Sequence, residues 1–177
     1  MKKIFALMLA LALTLGLAAF AEESSYGFGE FTTIDTEGNT VTQEIFADYD
    51  LTMVNIWATW CGYCIDEMPE FTELKDRLPE NVNLITIGTD AHVETELTLE
   101  ILASVNANFQ TLILTQEMVD QLISQVYAFP TTFFLDSEGK VVGEPIVGVP
   151  SLDNAGDAYY DYMMYLMDEA GMTKEAE

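Results

Sequence analysis

The feature that most constrains this chain is an apolar run that passes directly into a pair of cysteines. Leu51-Thr52-Met53-Val54-Asn55-Ile56-Trp57 is long enough for a buried strand and carries β-branched and aromatic members. Cys61-Gly62-Tyr63-Cys64 follows almost at once, and from Cys61 to about Leu78 the pattern becomes helical. Leu84-Ile85-Thr86-Ile87-Gly88 is a second apolar run. Together the three pieces form a strand-helix-strand unit, which implies a parallel sheet covered by a helix. The two cysteines therefore stand where a buried strand ends and a helix begins.

Around this unit, the remaining segments continue the alternation. Phe31–Ile34 and Thr40–Gln43, joined through Asp35-Thr36-Glu37-Gly38-Asn39, form an N-terminal β-hairpin. A helix is expected from about Val93 to Val105 with Leu97, Ile101 and Leu102 or Val105 on one face. Thr111–Leu114 is a short strand, and Glu117–Tyr127 a helix with Val119, Leu122, Ile123 and Val126 at helical spacing. Thr131–Asp136, a Ser137-Glu138-Gly139 turn and Lys140–Gly143 make a second hairpin. The last helix runs from about Asn154 to Ala170, with Tyr159, Tyr162, Met163, Leu166 and Met167 at core spacing. The expectation is one α/β domain over 31–172, preceded by a flexible lead-in over 22–30. Residues 1–21 have the layout of a secretory signal peptide: Lys2 and Lys3, an apolar run, then Ala19-Phe20-Ala21 before a polar stretch. The alternative is an uncleaved N-terminal anchor, since Ile4–Ala21 approaches the length that spans a bilayer.

The chain holds 30 acidic residues against six basic ones, a formal charge of −24. Loss of Lys2 and Lys3 leaves four bases against 30 acids, a formal −26. With 50% hydrophobic residues the acidity belongs to a folded domain and not to a disordered acidic tail. It excludes nucleic acid and anionic membrane surfaces as partners, because both are bound through lysine and arginine.

The position of the cysteines supplies chemistry. A helix N-terminus offers unsatisfied N–H groups and about half a positive charge, which lower a thiol pKa. Cys61 would then be an exposed nucleophile and Cys64, one turn inside, the resolving thiol that breaks a mixed disulfide. A structural disulfide and half of a zinc site use the same residue types. A two-residue loop constrains the unfolded chain little, and only His92 remains as a nitrogen donor for zinc. The strand-helix setting favours redox work, with no cofactor beyond the cysteine pair. A thiol peroxidase is disfavoured, since Val54–Trp60 lacks the proline of that group's Pro-x-x-x-Thr-x-x pattern.

Trp57-Ala58-Thr59-Trp60-Cys61-Gly62-Tyr63-Cys64, with Pro69 in the helix and Phe129-Pro130-Thr131 before a strand, resembles the thioredoxin superfamily in its extracytoplasmic TlpA/ResA-like branch. The resemblance implies a thioredoxin-like fold, a central mixed β-sheet flanked by helices. It implies a cis peptide at Pro130 and a loop, Phe129 to Thr131, that pairs with substrate backbone. Trp60, Gly62 and Tyr63 would form the rim contacting partners, while Trp57 is plain core. Thioredoxins proper carry a buried aspartate where this chain has Asn55, which cannot take a proton. Glu67 stands at the position that the branch links to proton transfer at the buried thiol, and a solvated helix glutamate is the competing reading. The branch further implies a protein disulfide as substrate and a membrane thiol electron carrier as electron donor; the domain is expected to work as a monomer.

The acids nearest the cysteines, Asp66, Glu67 and Glu70, oppose a thiolate, with no base before Lys75. A strong oxidant needs a highly stabilised thiolate. The expectation is therefore an exported reductase of protein disulfides. A disulfide-forming oxidase and a non-catalytic acidic binding module are the alternatives.

Overall fold

The computed structural model describes residues 26–172, so the signal-peptide segment lies outside the described residues. Strands β1 (Thr32–Ile34) and β2 (Thr40–Thr42) form the expected N-terminal hairpin. The Asp35 carboxylate shapes its turn by accepting from the backbone N–H groups of Glu37 and Asn39 at 3.0 and 2.9 Å. Gln110 Nε2 also donates to Asp35, at 2.7 Å, which ties the hairpin to the main sheet.

That sheet contains β3 (Leu51–Trp57), β4 (Val82–Gly88), β5 (Gln110–Ile113), β6 (Thr131–Asp136) and β7 (Ile146–Val147), in the order β5-β4-β3-β6-β7. The β3/β4 and β4/β5 pairs are parallel, whereas β3/β6 and β6/β7 are antiparallel. Helix α1 (Gly62–Arg77) connects β3 to β4, α2 (Thr95–Ser104) connects β4 to β5, α3 (Gln116–Gln121) follows β5, and α4 (Ala155–Glu169) closes the described chain. This is the mixed sheet with flanking helices that the resemblance implies. Every residue of β3 and β4 is buried, because both sheet faces are covered.

Alternation along the strands separates two cores. Leu51, Met53, Trp57, Leu84 and Phe134 face α1 and α4, where they meet Met68, Phe71, Leu74, Met163 and Met167. Val54, Ile56, Ile85, Ile87, Phe133 and Leu135 face the other way, onto Phe28, Phe31, Phe46, Met118 and Leu122.

Four local expectations change. Tyr26–Glu30, read as flexible lead-in, packs on the domain: Phe28 is buried and its N–H donates to the Gly139 carbonyl at 2.9 Å. The buried face of α2 is Thr98, Ile101 and Leu102, leaving Leu97 exposed, because a threonine occupies the inward position that an apolar pattern search skips. The helix expected to reach Tyr127 ends at Gln121 and continues only as a 3₁₀ turn, Ile123–Gln125. Lys140–Gly143 makes single bridges and no strand; Gly143 adopts φ +70° and Pro145 follows, so the strand beside β6 is Ile146–Val147.

Candidate active site

The site lies at the ends of β3 and β4 where they meet the start of α1. Asp90, just beyond β4, accepts from the Thr59 backbone N–H at 3.0 Å and from Thr59 Oγ1 at 2.6 Å, anchoring the segment that leads into the cysteines. Cys61 is the N-cap of α1, and its Sγ accepts from the Cys64 N–H at 3.2 Å. Cys61 and Cys64 are joined in a disulfide, with Cα atoms 5.3 Å apart. Cys64 is fully buried. Cys61, expected to be exposed, is only 6% exposed, since the capping geometry turns its sulfur back over the helix start.

The Phe129–Pro130 peptide is cis, as the resemblance implies. Its loop and the cysteine loop meet: the Trp60 and Phe129 rings stand edge to face with centroids 5.5 Å apart. Trp60 and Tyr63 are 72% and 65% exposed, and Gly62 is exposed between the cysteines. Pro130 and Thr131 are buried; the Pro130 carbonyl accepts from Gly148 N–H at 2.8 Å, and Thr131 Oγ1 donates to the Ala128 carbonyl at 2.8 Å. Trp57 is buried, its Nε1 donating to Thr86 Oγ1 at 3.3 Å. His92 sits exposed in the turn after β4.

Of the two readings of Glu67, its burial removes the solvated helix glutamate. The residue is buried on α1, one turn after Cys64. Asn55 Nδ2 donates to its Oε1 at 3.0 Å and Tyr159 Oη donates to its Oε2 at 3.2 Å. Burial pushes its carboxyl up to about 8, against these two hydrogen bonds, and the nearby Glu70 charge adds to the rise. At neutral pH Glu67 is therefore mostly protonated, and the three acids near the cysteines do not act as three anions. Glu70 is also committed, its Oε2 accepting from Gly156 N–H at 2.6 Å in the first turn of α4. Asp66 is the exposed member.

No described cation replaces them. Lys75 donates to Asn83 near the start of β4, Arg77 ends α1 paired with Asp157, and Lys140 pairs with Glu138 beyond the end of β6. All three lie at the end of the sheet opposite the cysteines, since Leu51 pairs with Val82 and Asp136 while Trp57 pairs with Gly88. Among the described residues no group of three His, Cys, Asp or Glu is placed to hold a metal ion.

Sequence alone does not distinguish Asn55, Thr132 and Tyr159 as site residues. Asn55 is visible there only as a departure from aspartate, and Tyr159 only as core spacing.

The AhpC/TSA family model matches residues 27–143. A thiol-disulfide oxidoreductase ResA of Bacillus cereus is 30% identical over 145 residues, covering 78% of this chain and 80% of the relative. Thiol:disulfide interchange protein DsbE of Haemophilus influenzae is 29% identical over 105 residues, covering 59% of this chain and 55% of the relative. A crystal structure described as a putative DsbE from Chlorobium tepidum superposes with a TM-score of 0.66 at 21% identity, covering 81% of this chain and 96% of that one.

Proposed function

The chain belongs to the AhpC/TSA family, and from that premise we propose that it is an exported thiol-disulfide oxidoreductase of the ResA type that reduces protein disulfides. The observation carrying this reading is the Cys61–Cys64 disulfide at the N-terminus of α1, with Cys61 next in the chain to the exposed Trp60 that meets Phe129, and Cys64 fully buried one turn before the buried Glu67.

The cycle starts from the reduced dithiol. Cys61 thiolate attacks one sulfur of a substrate disulfide; a Cys61–substrate bond forms, the substrate S–S bond breaks, and the leaving thiolate takes a proton. Cys64 then gives its proton to the ionised fraction of Glu67, which afterwards releases it to solvent, and attacks Cys61 Sγ. The Cys61–Cys64 disulfide forms, and the second substrate thiolate leaves and is protonated. Two electrons and two protons pass to the substrate. A dithiol donor must restore Cys61 and Cys64, and a membrane thiol carrier fits an exported enzyme because that compartment is oxidising. Phe129 presents strand-like backbone to the substrate, the buried Pro130 and Thr131 hold that loop in place, and Trp60, Gly62 and Tyr63 form the opposite rim. Export rests on the signal-like pattern of residues 1–21.

The reducing direction is supported by what surrounds Cys61. A strong oxidant stabilises its thiolate heavily. Here the α1 N-terminus is the stabilising element, and the described lysines and arginine are engaged at the far end of the sheet. The experiment is insulin-disulfide reduction driven by a dithiol, together with the reduction potential. The wild type should accelerate reduction with a potential near the thioredoxin range, while Cys61→Ser should be inactive. A strongly oxidising potential would assign the oxidase role, no acceleration by the wild type over the dithiol background would leave a binding module, and undiminished activity in Cys61→Ser would overturn Cys61 as the nucleophile.

A further inference from the structure

The hydrogen bonds around Glu67 form a closed circuit of side chains from four elements. Asn55 Nδ2 on β3 donates to Glu67 Oε1 at 3.0 Å and to Thr132 Oγ1 at 2.9 Å. Thr132 on β6 lies 3.1 Å from Tyr159 Oη on α4, and Tyr159 Oη lies 3.2 Å from Glu67 Oε2. All four groups are buried in the core between sheet and helices.

The members of the circuit are not chemically equivalent. An amide N–H only donates, so Asn55 holds Glu67 Oε1 and Thr132 Oγ1 as acceptors whatever the charge on Glu67. A hydroxyl both donates and accepts, and it can turn. With Glu67 ionised, Thr132 donates to Tyr159 and Tyr159 donates to Oε2. With a proton on Oε2 the direction reverses: Glu67 donates to Tyr159, and Tyr159 donates to Thr132, whose oxygen has a second lone pair free of Asn55.

We propose that Tyr159 is a positioning residue for the exchange reaction, its hydroxyl being the reversible member of a circuit that holds the Glu67 carboxyl in place through both halves of its proton cycle. The inference rests on the reading of Glu67 as proton acceptor for Cys64. Tyr159 itself stays protonated, since burial and the neighbouring carboxyl push its phenol well above the usual range. It therefore changes the direction of a hydrogen bond without changing charge. Thr132 carries the circuit to within two residues of Pro130, so the acid is tied to the substrate loop through β6.

The titratable groups acting on Glu67 are Tyr159 from α4 and Glu70 one turn after it on α1; Cys64, one turn before, is held in the disulfide, and β3 and β6 contribute the neutral Asn55 and Thr132. A hydrogen bond to the ionised carboxylate is stronger than one to the neutral acid. Removing the Tyr159 hydroxyl should therefore disfavour ionised Glu67.

The test is carboxyl titration of the full oxidised protein by carbon-13 NMR, with the Glu67 signal assigned by its loss in Glu67→Gln. In the wild type the midpoint should lie at about 8. In Tyr159→Phe it should rise by about one pH unit or more. Thr132→Val keeps the Tyr159 ring in the core while breaking the circuit, and it should raise the midpoint as well. An unchanged midpoint in either folded variant overturns the proposal. The second readout is the pH profile for resolution of a Cys61 mixed disulfide. Tyr159→Phe should move it to higher pH, and should have no effect on the profile in a Glu67→Gln background. If Glu67→Gln leaves the profile as in wild type, the proton-acceptor reading fails and the role of Tyr159 in exchange fails with it. If Glu67→Gln changes the profile and Tyr159→Phe does not, the present inference alone is overturned.

Discussion

The two faces of the five-stranded sheet are drawn from alternate residues of the same strands, yet they solve different problems. On one face Val54, Ile56, Phe133 and Leu135 pack against Phe28, Phe31 and Phe46. Phe28 and Phe46 stack with an interplanar angle of 3°, and Phe31 meets both edge-on. On the other face the matching positions include Asn55 on β3 and Thr132 on β6, set among Met53, Trp57 and Phe134. These two polar side chains, with Glu67 and Tyr159 from the helices, interrupt an apolar layer. The first face is scaffold. The second gives up apolar contact to hold a buried carboxyl one helical turn from the buried Cys64, and under the proposed function β3 serves stability with its even residues and chemistry with its odd ones.

If that division holds, substitutions on the two faces should separate stability from exchange. Phe46→Ala, at a 1% exposed position, should cost about 3–5 kcal/mol of stability while leaving the exchange rate per folded molecule unchanged. A chemical denaturation series paired with an insulin assay below the transition checks this; a rate falling with stability would break the comparison.

Glu67, on the other face, should make stability depend on pH. Its folded pKa of about 8 lies above the ordinary 4.5, so between those values the folded protein binds a proton that the unfolded chain has released. Stability should then fall as pH rises through that window and level off above about 8, a change on the order of a few kcal/mol. Glu67→Gln should remove this slope while the Phe46 face keeps the fold intact. Denaturation midpoints across pH decide it, and a slope persisting in Glu67→Gln would place the titration elsewhere.

Trp60→Ala should have the smallest effect on the fold, within about 0.5 kcal/mol, because the ring is 72% exposed. The expected consequence is a raised KM for a protein disulfide with little change for a small disulfide. Equal effects on both would remove Trp60 from the substrate rim.

What sequence reveals about this molecule follows the distance over which each signal acts. The cysteine pair, the strand before it, the hairpin and the Phe129-Pro130-Thr131 segment are local patterns, and their placements hold. Tyr159 was legible only as a core position, since helical spacing buries a tyrosine without naming the partner of its hydroxyl, and Glu67 lies 92 residues away. The charge of Glu67 is equally non-local: formal charge is a property of the residue, whereas its ionisation depends on the packing that buries it. The Leu97 assignment failed for a related reason, because Thr98 fills the inward position of α2. Asp90 gave no signal either, since its role is to hold Thr59 across the strand ends.

The most direct test of the account is capture of the mixed disulfide. Reduced Cys64→Ser protein, mixed with a protein disulfide and mapped by peptide mass spectrometry, should form a one-to-one adduct through Cys61, and Cys61→Ser should form none at neutral pH. An adduct through Cys64 in Cys61→Ser, or no adduct in Cys64→Ser, would contradict the assignment of Cys61 as the attacking sulfur and Cys64 as the sealed one.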